Sequence, residues 1–499
     1  MLYDVIVIGG GMGGMTAAAL LSDAGLRTTV LEAAHLPGGC SSSYKKRGGV
    51  FETGATTLMG FDPDQPLHYL SQKLGLIFPV SPIEPSMKII LDGNKELIRY
   101  QDLDQWIQEC GRYFGQVTEQ TRFWKLAKRI SDVVWKVSLK NSFFPPMCLR
   151  DWLELLKNDP RDSWILPYAF KSVREICFEN GLSNPNFIRL LDEQLMISAQ
   201  AKTSDTPMIF GAPALTYTNY TNYYSEGGLL EFIRVLQKRL ESTGGELRLR
   251  RRVTGITRIK EGYSVITANG EVFRTKRIVS NLPVWNHASL TDASMAPWFQ
   301  KQSDKYSKAW GALTFGILSA DSFPDHHPLH TQVHLPEQES IPGSESRSIF
   351  ISISRRGDLT RAKEGYRTLN VSTHVSPEAW FSIADRESEK AYDLQKKQAS
   401  DYVLTLLDRF YPGFSREHVS EFFTATPVTW QNWVYRYKGR VGGVPQELSR
   451  SLLDWAPNKT PFDGFYLCGD TVYPGQGIPG VTLSGINVYS RIMRDSNLL

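Results

Sequence analysis

The chain has 499 residues and a formal net charge of +4; 41% of its residues are hydrophobic and 22% are charged. This balance excludes a disordered chain, and the scattered basic residues do not support a nucleic-acid partner. Its five cysteines are widely spaced and form no CxxC pair, which argues against a disulfide framework or a structural zinc site and fits a reducing compartment.

The N-terminal residues predict a βαβ unit rather than a targeting segment. Residues 3–8 have the apolar run of a buried strand, residues 15–24 are the Ala- and Leu-rich part of a helix, and residues 28–31 are a second strand. We find no signal peptide and no run of about 18 apolar residues, so we expect a cytoplasmic protein without a transmembrane helix.

A glycine motif and an acid stand at the ends of these two strands. Gly9, Gly11 and Gly14 form a GxGxxG sequence directly after the first strand, and Glu32 follows the second. In such units the first glycine allows a tight turn, the second lets a pyrophosphate approach the backbone, and the third lets the helix pack closely. The helix N-terminus favours phosphates, and the acid can accept hydrogen bonds from a ribose. The unit is therefore predicted to bind a dinucleotide.

Two later segments are also rich in glycine. Residues 225–256 predict an amphipathic helix that ends at Gly244 and Gly245 and leads to a strand near Val253. Residues 469–485 contain five glycines and two prolines around one carboxylate, directly after the apolar run FYLC. Alone, this second segment is an ordinary loop that caps a terminal helix.

In combination, these motifs resemble the flavin-dependent amine oxidase and phytoene desaturase superfamily. The matching segments are GGGMGG at 9–14, LEA and PGG within 31–39, and ETGATT at 52–57, in the expected order. The resemblance implies an α/β fold, in which a Rossmann-like FAD-binding domain of the glutathione reductase type is joined to a discontinuous α+β substrate-binding domain. The implied cofactor is FAD, and no metal site is expected.

The spacing of the motifs divides the chain into two domains. We expect the FAD-binding domain to comprise residues 1–75, 216–290 and 425–499, and the substrate-binding domain to comprise residues 76–215 and 291–424. The first of the two insertions is predicted to be mainly helical and the second to supply a sheet.

The resemblance also implies which residues contact the FAD. The position of Asp470 binds the ribitol hydroxyls, the backbone at Val253 holds the adenine, and the turn 477–481 lies against the isoalloxazine, with the next helix directed at its N1 and O2 edge. No catalytic acid or base is assigned. The residues at the family's cofactor-binding positions are Gly9, Gly11, Met12, Gly13, Gly14, Glu32, Ala33, Gly39, Cys40, Gly54, Ala55, Thr56, Val253, Gly469, Asp470, Gly480 and Val481.

Within the two insertions, some segments have a clear pattern. Residues 308–318 and 346–355 have strand character, and residues 390–412 predict a helix that stops at Pro412. Residues 123–146 predict a basic amphipathic helix, which either lies in a membrane interface or packs on the substrate domain. The sequence leaves these two alternatives open.

Two groups of side chains are interpreted as structural. A surface loop rather than a metal site is expected for four histidines, since Pro328 interrupts any helix there. They are His326, His327, His330 and His334. An aromatic core is favoured over a site lining for a second group near the C-terminus. It consists of Trp430, Trp433, Tyr435 and Tyr437.

Details of the motifs are more similar to carotenoid desaturases and carotene isomerases than to amine oxidases. Amine oxidases typically carry GGR where this chain has Gly38, Gly39 and Cys40, so that arginine is missing. The turn PGQGIPG at 474–480 is similar to one in the carotenoid enzymes. The middle segment, with FWKLA at 123–127, FFPP at 143–146 and then residues 189–200, looks most like the bacterial and cyanobacterial C-3′,4′ carotenoid desaturases.

This resemblance implies an FAD-dependent oxidoreductase that introduces a C=C bond into a lipophilic polyene by hydride transfer to the flavin. Quinone or oxygen would then reoxidise the flavin, and the resemblance also implies a peripheral membrane contact through which the enzyme reaches its substrate. The alternatives are a carotene cis–trans isomerase, a retinol saturase-like enzyme, and a GDI-like prenyl-binding protein without FAD. The intact glycine motif, Glu32 and Asp470 argue against the last.

Overall fold

The computed structural model describes residues 2–91 and 95–496. The strands of these residues, in chain order, are β1 (Leu2–Ile8), β2 (Thr28–Leu31), β3 (Ser43–Lys46), β4 (Gly49–Glu52), β5 (Val80–Ile83), β6 (Met87–Leu91), β7 (Lys95–Arg99), β8 (Asn222–Ser225), β9 (Glu246–Arg248), β10 (Val253–Ile259), β11 (Gly262–Thr267), β12 (Val272–Ser280), β13 (Gly311–Ala320), β14 (His330–His334), β15 (Ser348–Ile353), β16 (Tyr366–Val375), β17 (Val419–Ala425) and β18 (Phe465–Leu467).

Two of the described α-helices stand among the first seven strands, and six follow one another between β7 and β8. The α-helices are α1 (Met12–Asp23), α2 (Pro66–Leu74), α3 (Leu103–Phe114), α4 (Val117–Lys140), α5 (Leu149–Leu155), α6 (Val173–Glu179), α7 (Pro185–Ser198), α8 (Met208–Thr216), α9 (Leu229–Ser242), α10 (Ala296–Lys305), α11 (Pro377–Ser382), α12 (Glu389–Phe410), α13 (Pro427–Val434) and α14 (Ile478–Asp495).

The first sheet has the strand order β10-β11-β12-β1-β2-β9, with β18 paired to β12. Strands β9, β2, β1, β12 and β18 are parallel, while β10 and β11 form an antiparallel hairpin at one edge. Helix α1 packs against α9 and α14, so both ends of the chain share one hydrophobic core. The predicted βαβ unit is confirmed, although α1 begins at Met12 directly after the N-cap Gly11, three residues earlier than expected.

Parallel pairing brings the carboxyl ends of distant strands to one edge of this sheet. The Gly9 amide donates to Leu31 O at 2.9 Å, the Asn281 amide to Ile8 O at 2.8 Å, and the Cys468 amide to Ser280 O at 2.9 Å. The residues that follow β1, β2, β12 and β18 therefore lie side by side, where open α/β sheets bind their ligands.

The second sheet has the order β17-β13-β16-β15-β14-β6-β7. One face packs on α12 through a cluster of buried apolar residues, and the other lies under α4, α7 and α8. The first insertion is mainly helical and the second supplies most of this sheet, as expected; β6 and β7 join it from the first insertion. The strands predicted at 308–318 and 346–355 correspond to β13 and β15, and the helix predicted at 390–412 to α12. The domain boundaries themselves stay a prediction.

Helix α4 contains most of the basic amphipathic segment. Phe123, Trp124, Ala127 and Ile130 are fully buried in the helical core against α3 and α7, so its apolar face packs inside the protein. Among the described residues, no helix has both the length and the hydropathy that a membrane span requires.

Candidate functional site

A groove of about 1160 Å³ crosses the carboxyl edge of the first sheet. Its lining extends from the turn after β1 (Gly9 and Gly11) through Glu32 to Asp470 and Val481 near the other end of the chain. The N-terminal and C-terminal motifs thus form a single concave surface. This is the position that the sheet topology assigns to a ligand.

Glycines permit the close approach of backbone segments along this groove. A Cβ atom on Gly14 would lie 2.3 Å from Gly9 O, so only glycine lets α1 pack this tightly on the turn. A Cβ atom on Gly13 would lie 2.9 Å from Val481 O and 3.2 Å from Gly469 N. The glycines of the first motif therefore also make room for the C-terminal segment.

Glu32 shapes the turn as well as facing the groove. Its Oε2 accepts a hydrogen bond from the Gly10 amide at 2.6 Å, and its Oε1 accepts one from the Ala34 amide at 2.8 Å. Burial raises the pKa of this carboxyl above its ordinary value, against the effect of these two donors. A ribose hydroxyl in the groove would reach the remaining lone pairs of the acid.

The structure brings nearly all the predicted cofactor residues to the groove or to a smaller cavity beside it. Those that line the groove are Gly9, Gly11, Met12, Gly13, Glu32, Ala33, Gly39, Cys40, Val253, Gly469, Asp470 and Val481. Those that line only the smaller cavity are Gly54, Ala55, Thr56 and Gly480. Gly14 lines neither and serves the packing of α1.

Asp470 is held by an arginine that the sequence analysis did not identify. Arg436 Nη2 lies 2.7 Å from Asp470 Oδ2, and both side chains are largely buried. The guanidinium also lies beside the Cys40 thiol; burial raises the pKa of this thiol, and the arginine works in the opposite direction. A cation therefore stands next to position 40 although the arginine of the GGR motif is absent. It comes from 396 residues further along the chain, and no local pattern marks it.

Asn281 is a second groove residue that was missed. It follows β12 directly. A Cβ atom on Gly11 would lie 2.5 Å from Asn281 Nδ2, and a Cβ atom on Gly469 would lie 2.9 Å from Asn281 Oδ1. Its amide group thus fills the space between the two glycine motifs. The sequence pattern that could have identified Asn281 is a polar residue directly after a buried strand. Nothing local, however, shows that β12 lies beside β1.

The segment 477–481 is helical rather than a turn. Gly477 is the N-cap of α14 with φ of +84°, and Gly480 and Val481 belong to the first helical turn. This turn faces the place where the two cavities meet. Free backbone N–H groups and the positive end of the helix dipole are therefore presented to a ligand there.

The smaller cavity has a volume of about 370 Å³ and adjoins the groove. Thr314, Trp430, Asp470 and Val481 line both spaces. One wall is formed by α4, α7 and α8 with largely apolar side chains such as Met196 and Phe210, and the other by the second sheet. A long apolar ligand can thus extend from the groove between the helices and the sheet.

The sheet wall of the smaller cavity is polar. Thr314 on β13 pairs with Ser372 on β16, which in turn pairs with Phe350 on β15, so these three residues share one face of the sheet. Ser348 lies two residues from Phe350, and His374 two residues from Ser372, so both are on the same face. Burial lowers the pKa of His374 to about 4, so it is neutral at pH 7. Two strand spacings, or about 10 Å, separate the strand of Thr314 from that of Ser348.

Glu193 on α7 faces this wall. Its Oε2 accepts a hydrogen bond from Ser348 Oγ at 2.6 Å, and Ser348 Oγ in turn accepts one from Gln332 Nε2 at 3.0 Å. Burial raises the pKa of the Glu193 carboxyl. The cavity therefore contains a hydrogen-bonding group at a distance from the groove, among largely apolar helical residues.

The C-terminal aromatic group does not form a core. Trp430 is buried at the joint of the cavities, where a Cβ on Gly54 would lie 2.6 Å from its ring. Trp433, Tyr435 and Tyr437 line the groove and are 71%, 37% and 42% exposed. The predicted aromatic core is wrong because these three side chains stand at the rim of the groove.

The expected surface loop of histidines is also wrong in part. His330 and His334 are the two ends of β14, and both are buried between β15 and β6. His327 is buried against Tyr411. In residues 330–334, polar side chains alternate with Thr331 and Val333, and this alternation is the pattern of a strand. Among the described residues, no group of three or more potential metal ligands is found.

Comparison with known proteins agrees with this geometry. Residues 12–493 match the sequence profile of the family "Flavin containing amine oxidoreductase". The chain is 27% identical to the chloroplastic prolycopene isomerase of Daucus carota, over 99% of this chain and 81% of that protein. It is 21% identical to the carotenoid 3,4-desaturase of Haloarcula japonica, over 99% and 98%. The resemblance to carotenoid desaturases and isomerases is confirmed, with a higher identity to this isomerase than to this desaturase.

The fold also matches that of a solved oxidase. Cyclohexylamine oxidase from Brevibacterium oxydans superposes with a TM-score of 0.61 at 15% identity, over the full length of both chains. This likeness shows the predicted α/β fold, and the profile match goes against the non-enzymatic alternative. The chain belongs to the flavin containing amine oxidoreductase family and is a flavin-dependent oxidoreductase.

Proposed function

We propose that the groove binds FAD and that the adjoining cavity binds a carotenoid polyene. The observation that carries the proposal is the continuity of the two spaces, which meet at Asp470, Val481 and Trp430. One space has the glycines, acid and helix N-termini suited to a dinucleotide. The other is bounded by apolar helices and suits a long hydrocarbon.

The shape of the groove fits an extended dinucleotide. The N-terminus of α1 at Gly11 would hold the pyrophosphate, Glu32 the adenosine ribose and the backbone at Val253 the adenine. Asp470 would bind the ribityl chain, with Arg436 beside it. All the predicted cofactor residues except Gly14 line one of the two spaces, which supports this assignment.

A bound FAD would supply hydride transfer at the joint of the two spaces. The first turn of α14 presents its free N–H groups there and so favours negative charge that develops during the reaction. The buried Trp430 lies close to the Gly54 backbone, where a Cβ atom would be 2.6 Å from its ring, and so the two residues narrow the joint. The helices α4, α7 and α8 align the polyene.

The primary candidate reaction is desaturation. A CH2–CH2 unit of the polyene loses a hydride and the neighbouring proton and becomes a conjugated C=C bond, while quinone or oxygen takes up the two electrons. The resemblance to C-3′,4′ desaturases supports this candidate. The Glu193–Ser348 pair suits a hydroxyl group at the far end of such a substrate.

The second candidate is cis–trans isomerisation of a carotene, without net redox change. Its support is the 27% identity to prolycopene isomerases, compared with 21% to the carotenoid 3,4-desaturase. Both candidates need the same groove and the same apolar cavity.

Product analysis tests the proposal. The purified protein is expected to show flavin absorbance near ~450 nm and to release FAD on denaturation. It is then incubated in detergent micelles with a carotene, its monohydroxylated derivative and a quinone. Loss of two hydrogens supports desaturation, and a changed retention time at equal mass supports isomerisation. A colourless protein, or a flavoprotein that leaves every carotenoid unchanged, would overturn the proposal.

A further inference from the structure

An unusual surface follows the α4 helix. Among the described residues, seven of the nineteen exposed large hydrophobic side chains lie between positions 147 and 170. Leu149 is 76% exposed, Leu156 78% and Phe170 78%. Monomeric proteins rarely leave so many large apolar side chains of one short segment in water, so this segment, called here the 147–170 surface, is expected to have a partner.

Helix α5 turns its apolar stripe outward. Leu149, Trp152, Leu153 and Leu156 have the i, i+3, i+4, i+7 spacing of one helical face, and all four are exposed. In a helix that packs on a core, this stripe would be buried. The orientation of α5 is therefore the reverse of that of an ordinary surface helix.

Buried ion pairs fix this reversed orientation. Asp151 lies on the inner face of α5, where Arg494 Nη2 is 2.6 Å from its Oδ1 and Arg491 Nη1 is 3.2 Å from its Oδ2. The Met147 amide also donates to Asp151 Oδ2 at 2.8 Å. Turning the leucines inward would leave two buried arginines without this partner, which is costly. The exposed stripe is thus a built feature of the fold.

The fully exposed charges around the stripe are basic, although two of the four cations pair with half-buried acids. Between positions 140 and 170 the exposed charged residues are all basic, namely Lys140, Arg150, Lys157 and Arg161. The acidic residues of this segment are buried or half-buried, and two of them pair with Lys157 and Arg161. An apolar stripe flanked by exposed cations complements the surface of an anionic bilayer.

The surface is also linked to the smaller cavity. The ring of Phe144 packs on that of Tyr473 at a centroid distance of 4.7 Å, and Tyr473 Oη lies 3.0 Å from Ser138 Oγ. Tyr473 and Ser138 both line the cavity. The segment between α4 and α5 therefore connects the exposed stripe to the cavity wall.

We propose that the 147–170 surface docks into the headgroup region of a lipid bilayer that contains anionic lipids. The proposal rests on the proposed function, because a substrate that dissolves in lipid must leave the bilayer near the cavity. It moves the membrane contact from residues 123–146, whose apolar face is buried, to the segment that follows.

Vesicle flotation of the flavin-loaded protein tests the proposal. Wild-type protein is mixed with vesicles of phosphatidylcholine and phosphatidylglycerol at 3:1, and with pure phosphatidylcholine. We expect binding to the anionic vesicles and a drop of at least tenfold in the partition coefficient for L153D/L156D. The variant K140Q/R150Q should lose the preference for anionic vesicles and keep the weaker binding to neutral ones.

A matched control uses two exposed leucines elsewhere. Leu359 is 68% and Leu394 57% exposed, and L359D/L394D should bind vesicles as the wild type does. Flavin content and Tm of all variants are measured to exclude misfolding.

Equal flotation of the wild type and L153D/L156D would overturn the proposal. So would a wild type that does not float but forms a dimer that L153D/L156D abolishes, because the surface would then bind a second copy. The micelle assay contains no bilayer, so failure of the docking proposal and failure of the proposed function are separable.

Discussion

Arg436 and Asp470 form an ion pair, with Nη2 2.7 Å from Oδ2, at the edge of the groove beside the smaller cavity. The two side chains are only 10% and 15% exposed. Asp470 comes from the glycine-rich segment after β18, and Arg436 from the segment after α13. The pair thus ties two C-terminal segments together at the place where the proposed ribityl chain would lie.

Replacing Arg436 should cost both stability and cofactor. In Arg436→Met, Asp470 becomes a buried charge without its partner, which typically destabilises a protein by about 3 kcal/mol or more. We expect a lower Tm and at least a tenfold weaker flavin affinity, measured by thermal denaturation and by titration of the apoprotein with FAD.

The double variant R436M/D470N separates these two effects. Removal of both charges should restore part of the Tm, since no unpaired charge remains, whereas flavin affinity should stay low. A single variant with the Tm of the wild type would contradict the importance of the pair. Recovery of full flavin affinity in the double variant would show that neither side chain contacts the cofactor.

Gly13 allows the two ends of the chain to meet. In Gly13→Ala the new methyl group would lie 2.9 Å from Val481 O and 3.2 Å from Gly469 N, and both are backbone atoms that cannot rotate away. Overpacking of this kind costs about 1–3 kcal/mol. We expect a lower Tm and a loss of bound flavin, measured by the ratio of absorbance near ~450 nm to that at ~280 nm.

Gly255→Ala in β10 is the matched control. Its Cβ would lie 3.8 Å from Ile266 Cβ, an ordinary contact, so flavin content should be unchanged. If Gly13→Ala retains flavin as well as the control does, then the close contact between α1 and the C-terminal segment is not needed for binding.

The elements that sequence predicted well are those specified by local pattern. The apolar runs of β1 and β2 and the glycines that follow them determine the first βαβ unit, and the predicted strand 28–31 has the bounds of β2. The spacing of apolar residues likewise determines α9, and Pro412 prevents α12 from continuing. Both effects come from residues only a few positions away in the sequence. For such segments, local propensity and tertiary structure agree.

The features that sequence did not predict depend on contacts between distant segments. Arg436 and Asn281 gained their roles from strand order and from loops that meet only in the folded protein. The polar sides of β15 and β16 have the alternation of a solvent-exposed face, yet α4, α7 and α8 cover them. The sequence of α5 is amphipathic in either orientation, and Asp151 selects the outward one. Periodicity gives the faces of an element but not its neighbours.

Acid should destabilise the protein through its buried histidines. Burial lowers the pKa of His330 and of His374 to about 4, whereas the pKa of an unfolded histidine is near ~6.5. The unfolded state therefore binds more protons between these pH values, so stability is full above pH ~6.5 and is lost as the pH falls towards ~4. For His330, which is only 4% exposed, this corresponds to a loss of roughly 3 kcal/mol at the acidic end; His374 lines the smaller cavity and should contribute less.

Urea denaturation at several pH values measures this effect. In His330→Gln, the new side-chain amide can replace the hydrogen bond between His330 Nδ1 and Ser352 Oγ, but the titrating group is gone. The free energy of unfolding should then fall less steeply between pH ~6.5 and ~4. The slope should decrease by an amount that corresponds to at most one bound proton. A slope equal to that of the wild type would show that His330 is already protonated in the folded protein.

Glu193 should distinguish a hydroxylated polyene from a hydrocarbon. In Glu193→Gln the side chain keeps its size and can still accept from Ser348, but it loses the carboxyl that faces the cavity. We expect unchanged flavin content, about tenfold weaker binding of the monohydroxylated carotenoid, equivalent to ~1.4 kcal/mol, and binding of the hydrocarbon within about twofold of the wild type. Substrate titration of the flavin absorbance measures both.

Glu109→Gln is the control, since Glu109 is also buried but lies on α3, away from both cavities. Equal weakening for the two substrates would mean that Glu193 shapes the cavity without binding a hydroxyl, and a hydrocarbon would then be the favoured substrate.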